Sequence, residues 1–591
     1  MRSEARFLLA IVLMLAVLVG TNLLFAPPPV DEVEDTDPSA DAPAQVEEEA
    51  PPPQDADVPD TPPADTPVAD PDADQPPTLP ELDEQEDPPE LPEEAMEGPE
   101  RILEVNSPLY RFEFSTRGAR IRSAELLSYE SFTRTGPVQL VTADGPGFLG
   151  HRLVLGADTV DLRNLSFRVE PDVQSLDLEE GDDPATLRFV YEHPTEPFVF
   201  EVRYTFDPAQ YIIGVEGRVR GYERGLLVTD LGRGLAYNEA DVSDDRRALE
   251  WVVNHLQDGI DRDGIAGMEA RQSRDGPFHW AAVKSRYFLV AMLPTGVEGS
   301  TRYLGGLVAD PAQVDDDETA DVTVSQSVGS GGTFAYRFLV GPQDHAMLQA
   351  LGNDLEQVNP VGWAFLRPIL RPFVNAVTWL LVFLHDFLSI GYGWVLILFG
   401  ILMRVVLFPL YHKAMKAQLR NMAVQPLLKE IQTKYKDQPE KMQKELMKLY
   451  KEHGFNPLAG CWPMLLPFPI LIALFFVFQN TIELRGVPFA WLPDLSARDP
   501  YFILPVLLGI SMFFIQWISM RTLDEVPPQM KFMMWGLPVG MVVIFANFPS
   551  GLILYYLTAN VATLPQSWWI ANERQKVRSR QETETAAPAK A

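Results

Sequence analysis

Three patterns of apolar and polar positions follow one another along the chain. Residues 7–25 are apolar almost throughout and come after Arg2 and Arg6. This run of 19 residues is longer than the roughly 7–15 of a cleaved signal core. Three prolines follow Ala26 where a cleavage site would need small residues. A retained transmembrane signal anchor over 1–26 is predicted, with its basic end inside. Residues 101–345 alternate with period two between Pro and Gly turns, as in Tyr110-Arg-Phe-Glu-Phe114, 198–206 and 211–219. Many such strands predict a large antiparallel β-sandwich, on the outer side of the membrane because it follows an anchor whose N-terminus is inside. Gly329-Ser-Gly-Gly332 lacks a following Lys-Ser/Thr and reads as a turn rather than a phosphate loop.

From residue 361 the chain reads as a membrane domain. Over 373–388, Trp379, His385 and Asp386 stand among leucines and phenylalanines. That mixture suits a helix lying at the interface, within a connector over 346–390. Five spans are predicted at roughly 391–410, 460–480, 501–519, 532–548 and 551–570, each near the ~20 residues that cross a bilayer. With the anchor, this makes six transmembrane helices. The fold class is thus multi-domain: a polytopic α-helical membrane core plus a large antiparallel β-sandwich on the outer side.

Charge sets the orientation. Residues 412–455 carry ten Lys or Arg, whereas the loop at 483–500 carries only Arg485 and Arg498. Basic loops stay in the cytoplasm, so both termini are expected there. The 412–455 segment repeats apolar positions at i, i+4, i+7, as Met415, Leu419, Met422 and again Met442, Leu446, Leu449. It reads as a cytoplasmic helical hairpin, with Pro439 suited to a first helical turn. The hairpin is either a topogenic loop held near anionic lipid or a contact surface for a passing protein or RNA-bearing partner. The basic tail is 573–591.

Composition adds one region. The net charge of −34 is dominated by residues 27–100, which hold 26 Asp or Glu, no Lys or Arg, and 20 of the 52 prolines. Such a stretch cannot offset chain entropy by burial. It is expected to be a disordered, extended linker. The single cysteine, Cys461, excludes an internal disulfide framework.

The candidate chemistry centres on Arg404, the one charged residue in the six spans. A charge at mid-membrane costs at least ~2.5–3.5 kcal/mol on insertion scales, so it should face a polar interior or snorkel to the inner interface. In the last span Tyr556, Asn560, Thr563 and Ser567 share one helix face, with Tyr555 and Gln566 beside it. Gln516, Gln479 and Asn480 lie in other spans. Helix–helix hydrogen bonding explains any one of these; together with Arg404 they suggest a wet cavity. The sequence has no His-Glu-x-x-His, Gly-x-Ser-x-Gly or Walker loop. No cofactor or metal is expected.

The membrane half resembles the YidC family of bacterial membrane protein insertases. The resemblance rests on Met403-Arg404 with Phe408-Pro-Leu410, Tyr450, Asn456 to Pro463, Pro488-Phe-Ala490, Asp494-Leu-Ser496, Asp499-Pro-Tyr501, Met512 to Gln516, Phe548 to Leu552, Leu554-Tyr-Tyr556 and Asn560. The anchor and large β domain resemble the Gram-negative form, and the β domain resembles a mutarotase-like supersandwich. The resemblance implies a nucleotide-independent insertase and chaperone. Its five-helix core over 391–572 would hold a hydrophilic groove open to cytoplasm and lipid. Arg404, Gln516, Tyr555, Tyr556, Asn560, Thr563 and Ser567 would line that groove. Implied partners are nascent membrane proteins, the lipid bilayer, the Sec translocon, and the ribosome through the hairpin and tail. Direct specific nucleic-acid binding is not implied. Two rival readings are a transporter with Arg404 as anion site and a membrane-anchored sugar-binding or sugar-modifying protein. Deleting residues 110–330 discriminates, because insertion should largely survive it.

Overall fold

The computed structural model describes residues 99–586 except 157, 223–224, 297–299, 315–316, 330, 360–366, 410–430, 432, 437, 453–467 and 522–527. The expected anchor, the acidic linker, Cys461 and the first half of the hairpin lie outside the described residues. In the β domain a five-stranded sheet faces a 14-stranded one. Strand pairs are antiparallel, apart from Ile102–Asn106 alongside Ser175–Asp177. The expected strands appear as Tyr110–Ser115, Val199–Phe206 and Ile212–Arg220.

Alternation explains the two layers. In Val199–Phe206 the side chains of Phe200, Val202, Tyr204 and Phe206 are buried, each contributing about 1.5–3 kcal/mol relative to exposure. Phe114, from the smaller sheet, meets Tyr204 at 5.1 Å and Phe206 at 5.5 Å. On the outer face Glu201 pairs with Arg188 at 2.6 Å. The Gly332 N–H donates to the Gly329 carbonyl at 3.1 Å, at the place of the expected turn. Gly332 has φ +73, and a Cβ there would sit 2.0 Å from the Val219 carbonyl oxygen, so only glycine fits.

The β core also encloses polar groups. His151 Nε2 lies 2.8 Å from the Tyr336 hydroxyl, and burial pushes its pKa down to about 3. Burial pushes the neighbouring Asp230 up to about 6, while Arg163 and Arg152 pull it down.

Nine helices are described: α1 (Val242–Ala248), α2 (His345–Leu351), α3 (Arg367–Leu388), α4 (Tyr392–Pro409), α5 (Pro439–Glu452), α6 (Phe468–Asn480), α7 (Ile503–Met520), α8 (Pro528–Phe545) and α9 (Ser550–Ala586). Helix α5 belongs to a separate compact unit and begins at Pro439, as predicted. Its Leu449 is buried, and Lys441, Lys444 and Lys448 are exposed.

Among the described residues two helices, α4 and α7, are long and apolar enough to cross a membrane; Met534–Phe545 is a shorter apolar segment. Helix α3 extends the expected 373–388 helix at its start. Leu370, Val377, Leu381 and Leu384 form its buried stripe, while Trp379, Phe383 and Phe387 stack along its exposed face at 5.3 and 5.5 Å.

Candidate functional site

Helices α4, α7, α8 and α9 pack through small residues. A Cβ at Gly400 would touch Thr558 at 3.2 Å, and one at Gly509 would meet Val542 at 2.5 Å. Glycine at such crossings lets helix backbones approach closely. Arg404 is half-buried on α4, five residues before Pro409, which is ~7.5 Å along a helix. Its Nη2 donates to Gln566 Oε1 on α9 at 2.7 Å. A second polar tie joins α9 to α7. Asn560 Nδ2 donates to Ser511 Oγ at 3.2 Å, and the buried Ser511 hydroxyl donates to the Leu508 carbonyl at 2.7 Å.

The remaining candidate residues play different parts. Tyr555 is buried, its ring 5.4 Å from Phe399 of α4. Tyr556 stacks on Phe545 of α8 at 5.8 Å. The Thr563 hydroxyl donates to the Ala559 carbonyl of its own helix at 2.6 Å, a bond that satisfies a hydroxyl in an apolar setting. Gln516 and Ser567 are half-buried. Arg404 and Asn560 therefore make inter-helix polar ties, while the tyrosines serve as packing surfaces. Gln566, placed beside the stripe in the sequence, is the direct partner of Arg404.

At the end of α7, the Arg521 guanidinium lies over Trp517 at 4.6 Å and Trp568 at 5.6 Å. These rings are exposed, a combination suited to a membrane–water boundary.

The sequence reading missed the turn between α6 and α7. Asp499 is fully buried and caps α7, its carboxylate accepting from the Leu504 and Tyr501 backbone N–H groups at 2.7 and 3.0 Å. Arg485, expected on an outer loop, is buried. Its Nε donates to Glu239 of the β domain at 2.7 Å, with side-chain exposures of 3% and 6%. Burial pushes Glu239 up to about 7, against the pull of Arg485. Only the spacing of the charges in the loop was legible; nothing local pointed to a partner 246 residues away.

The β domain carries a separate cleft of ≈ 350 Å³, lined by Ser273, Arg274, Leu307, Thr323, Ser325 and Ser327 among others.

The family model described as the 60Kd inner membrane protein matches residues 383–578, and the one described as the YidC periplasmic domain matches residues 102–376. A membrane protein insertase YidC from Chlorobaculum parvum is 30% identical over 531 residues, covering 84% of this chain and 87% of the relative. One from Syntrophus aciditrophicus is 30% identical over 481 residues, covering 80% and 85%. Among solved structures, an active YidC insertase aligns at 19% identity over 80% of this chain and 95% of its own, with a TM-score of 0.33. A galactose mutarotase-like protein from Lactobacillus casei aligns over 41% and 99%, at 11% identity and a TM-score of 0.27.

Proposed function

The chain belongs to the YidC family of membrane protein insertases, and from that premise we propose that its helical core receives nascent chains in a polar groove centred on Arg404. It is an inner-membrane insertase with a periplasmic β domain, and nascent membrane proteins and the bilayer are its substrate and medium. In our reading α4, α6, α7, α8 and α9 are the five core spans; with the N-terminal anchor they make six, and both termini are cytoplasmic. Residues 412–455 and 573–591 meet the ribosome, and the core also works beside the Sec translocon. Insertion consumes no nucleotide.

The observation that carries the groove is the Arg404–Gln566 bond at 2.7 Å between two core helices. A segment entering the membrane must bring a short polar, often acidic, stretch across hydrocarbon. Arg404 offsets the desolvation of an acidic group, and Gln566 holds the guanidinium without neutralising it. Gln516, Asn560, Thr563 and Ser567 supply further polar edges, and Tyr555 and Tyr556 shape the walls. The apolar helix of the substrate then leaves sideways, driven by transfer into lipid.

The test is insertion of a short hairpin protein with an acidic translocated tail into nucleotide-free proteoliposomes. Arg404→Ala should lower the rate roughly tenfold, which corresponds to about 1.4 kcal/mol. Arg404→Lys should restore part of it. Full activity in the Ala variant would remove the charge from the mechanism.

A further inference from the structure

The turn between α6 and α7, residues 481–502, is held by the β domain from several directions. Arg485 donates to the Glu239 carboxylate, to the Glu130 carbonyl at 2.9 Å and to the Asn238 carbonyl at 3.3 Å. Its guanidinium lies over the rings of Phe132 at 4.4 Å and Phe288 at 5.2 Å. Ile482 is counted within the hydrophobic core of the β domain. Further along the turn Arg286 Nη2 of the β domain donates to the Ser496 carbonyl at 3.1 Å.

The same turn anchors the first turns of two core helices. Asp499 caps α7. The backbone N–H groups of Ser550 and Gly551, which open α9, donate to the Ala497 and Leu495 carbonyls at 2.7 and 2.9 Å. The Ser550 hydroxyl donates to the Asp494 carbonyl at 3.0 Å. Helices α7 and α9 carry the Asn560–Ser511 tie, and α9 carries Gln566. The turn that Glu239 holds through Arg485 is therefore also the turn from which the two helices carrying the groove's polar ties begin.

We propose that Arg485, clasped by Glu239, is a positioning residue for insertion: it fixes the β domain to the α6–α7 turn and so sets where α7 and α9 begin. Arginine suits the task because its planar fork serves one carboxylate and two carbonyls at once while its faces lie on aromatic rings. A lysine presents a point charge and cannot do both. The β domain acts as a brace on the groove, a role its own clefts do not require.

The test uses the full-length protein in lipid, with backbone hydrogen exchange and hairpin-protein insertion measured side by side. In Arg485→Ala, exchange across 481–502 and the first turns of α7 and α9 should rise about tenfold or more. Strands 199–206 and 333–342 should stay protected, and insertion should fall several-fold. Arg485→Lys should recover little of either. Unchanged exchange in the turn, or a freed turn with undiminished insertion, would overturn the proposal. If the Ala variant also loosens the control strands, Glu239→Gln decides. At pH 8, above the value of about 7 to which burial pushes Glu239, it removes the carboxylate's charge while keeping the side chain's size, so the turn alone must loosen and insertion slow, and any other result sinks the idea. The insertion readout rests on the groove reading, but the exchange readout does not. Arg404→Ala should slow insertion with the turn's exchange unaltered, so the two readings fail separately.

Discussion

Arg404 and Gln566 meet although the stripe visible in the sequence runs through Ser567, one residue and about 100° further round the helix. A long guanidinium reaches across such an offset, and helical periodicity alone does not encode side-chain reach. The contact gives a sharp expectation. Gln566→Glu would place a carboxylate on Arg404 in a partly desolvated site and satisfy the charge internally. Insertion of proteins with acidic tails should then drop by about as much as in Arg404→Ala, roughly tenfold, with neutral-tail substrates less affected. Comparing the two substrates in proteoliposomes checks it. Residue-scale titration is also testable in the β core. His151, held near 3 against ~6.5 in the unfolded chain, adds stability that is complete above ~6.5 and lost as pH falls toward 3. Asp230 is held near 6 instead of 3.8. The stability associated with its protonation is present at acid pH and lost as pH rises through that window. His151→Gln should therefore make stability rise less with pH than in wild type, and Asp230→Asn should make it rise more. Each difference approaches ~1.4 kcal/mol per pH unit. Denaturant unfolding followed by exchange in strand 226–233 between pH 4 and 7 measures both differences.

Element by element, regular periods were the most legible feature. The strand at 198–206 and the start of α5 at Pro439 fall where alternation and proline chemistry place them. A helix over 373–388 was also legible, but its beginning at Arg367 was not. Pro368 and Pro372 would ordinarily argue for a later start; Pro368 sits in the first helical turn, where proline is tolerated, whereas Pro372 lies inside the helix and removes one i→i−4 hydrogen bond, and Arg371 beside it is held by Glu356 at 3.2 Å. Helix α9 runs to Ala586, well past the apolar run that marked the expected span at 551–570. Helix crossings are set by small residues that hydropathy does not single out. Gly400 lies where a Cβ would already meet Thr558 at 3.2 Å. Gly400→Leu should force α4 and α9 apart, costing about 1–3 kcal/mol and weakening the Arg404–Gln566 bond. Thermal unfolding in detergent should show the loss of stability. The insertion assay should show a fall with acidic-tail substrates that Gly400→Ala produces only weakly.

Across the whole molecule, the division into a β domain and a helical core was legible because the hydrophobic period changes near residue 346. The way the two are joined was not. Arg485 and Glu239 are remote in sequence, and each alone looks like an ordinary surface charge. Removing one member of a buried pair strands the other, a change that typically costs about 3–5 kcal/mol. Deleting residues 110–330 is a different perturbation: Arg485 returns to water with no buried carboxylate left behind. The deletion should therefore leave an active insertase that is slowed because the α6–α7 turn has lost its brace. This leads to a prediction about coupling. In the intact chain Arg485→Ala should slow insertion several-fold, whereas in the chain lacking 110–330 the same substitution should change nothing, since every β-domain partner of that side chain is already gone. Residues that act through one shared contact are non-additive in this way. Insertion rates of the four proteins, wild type, point variant, deletion and both together, measure the coupling. Equal effects of Arg485→Ala in the two backgrounds would mean that the arginine acts within the helical core and that the β domain is no brace.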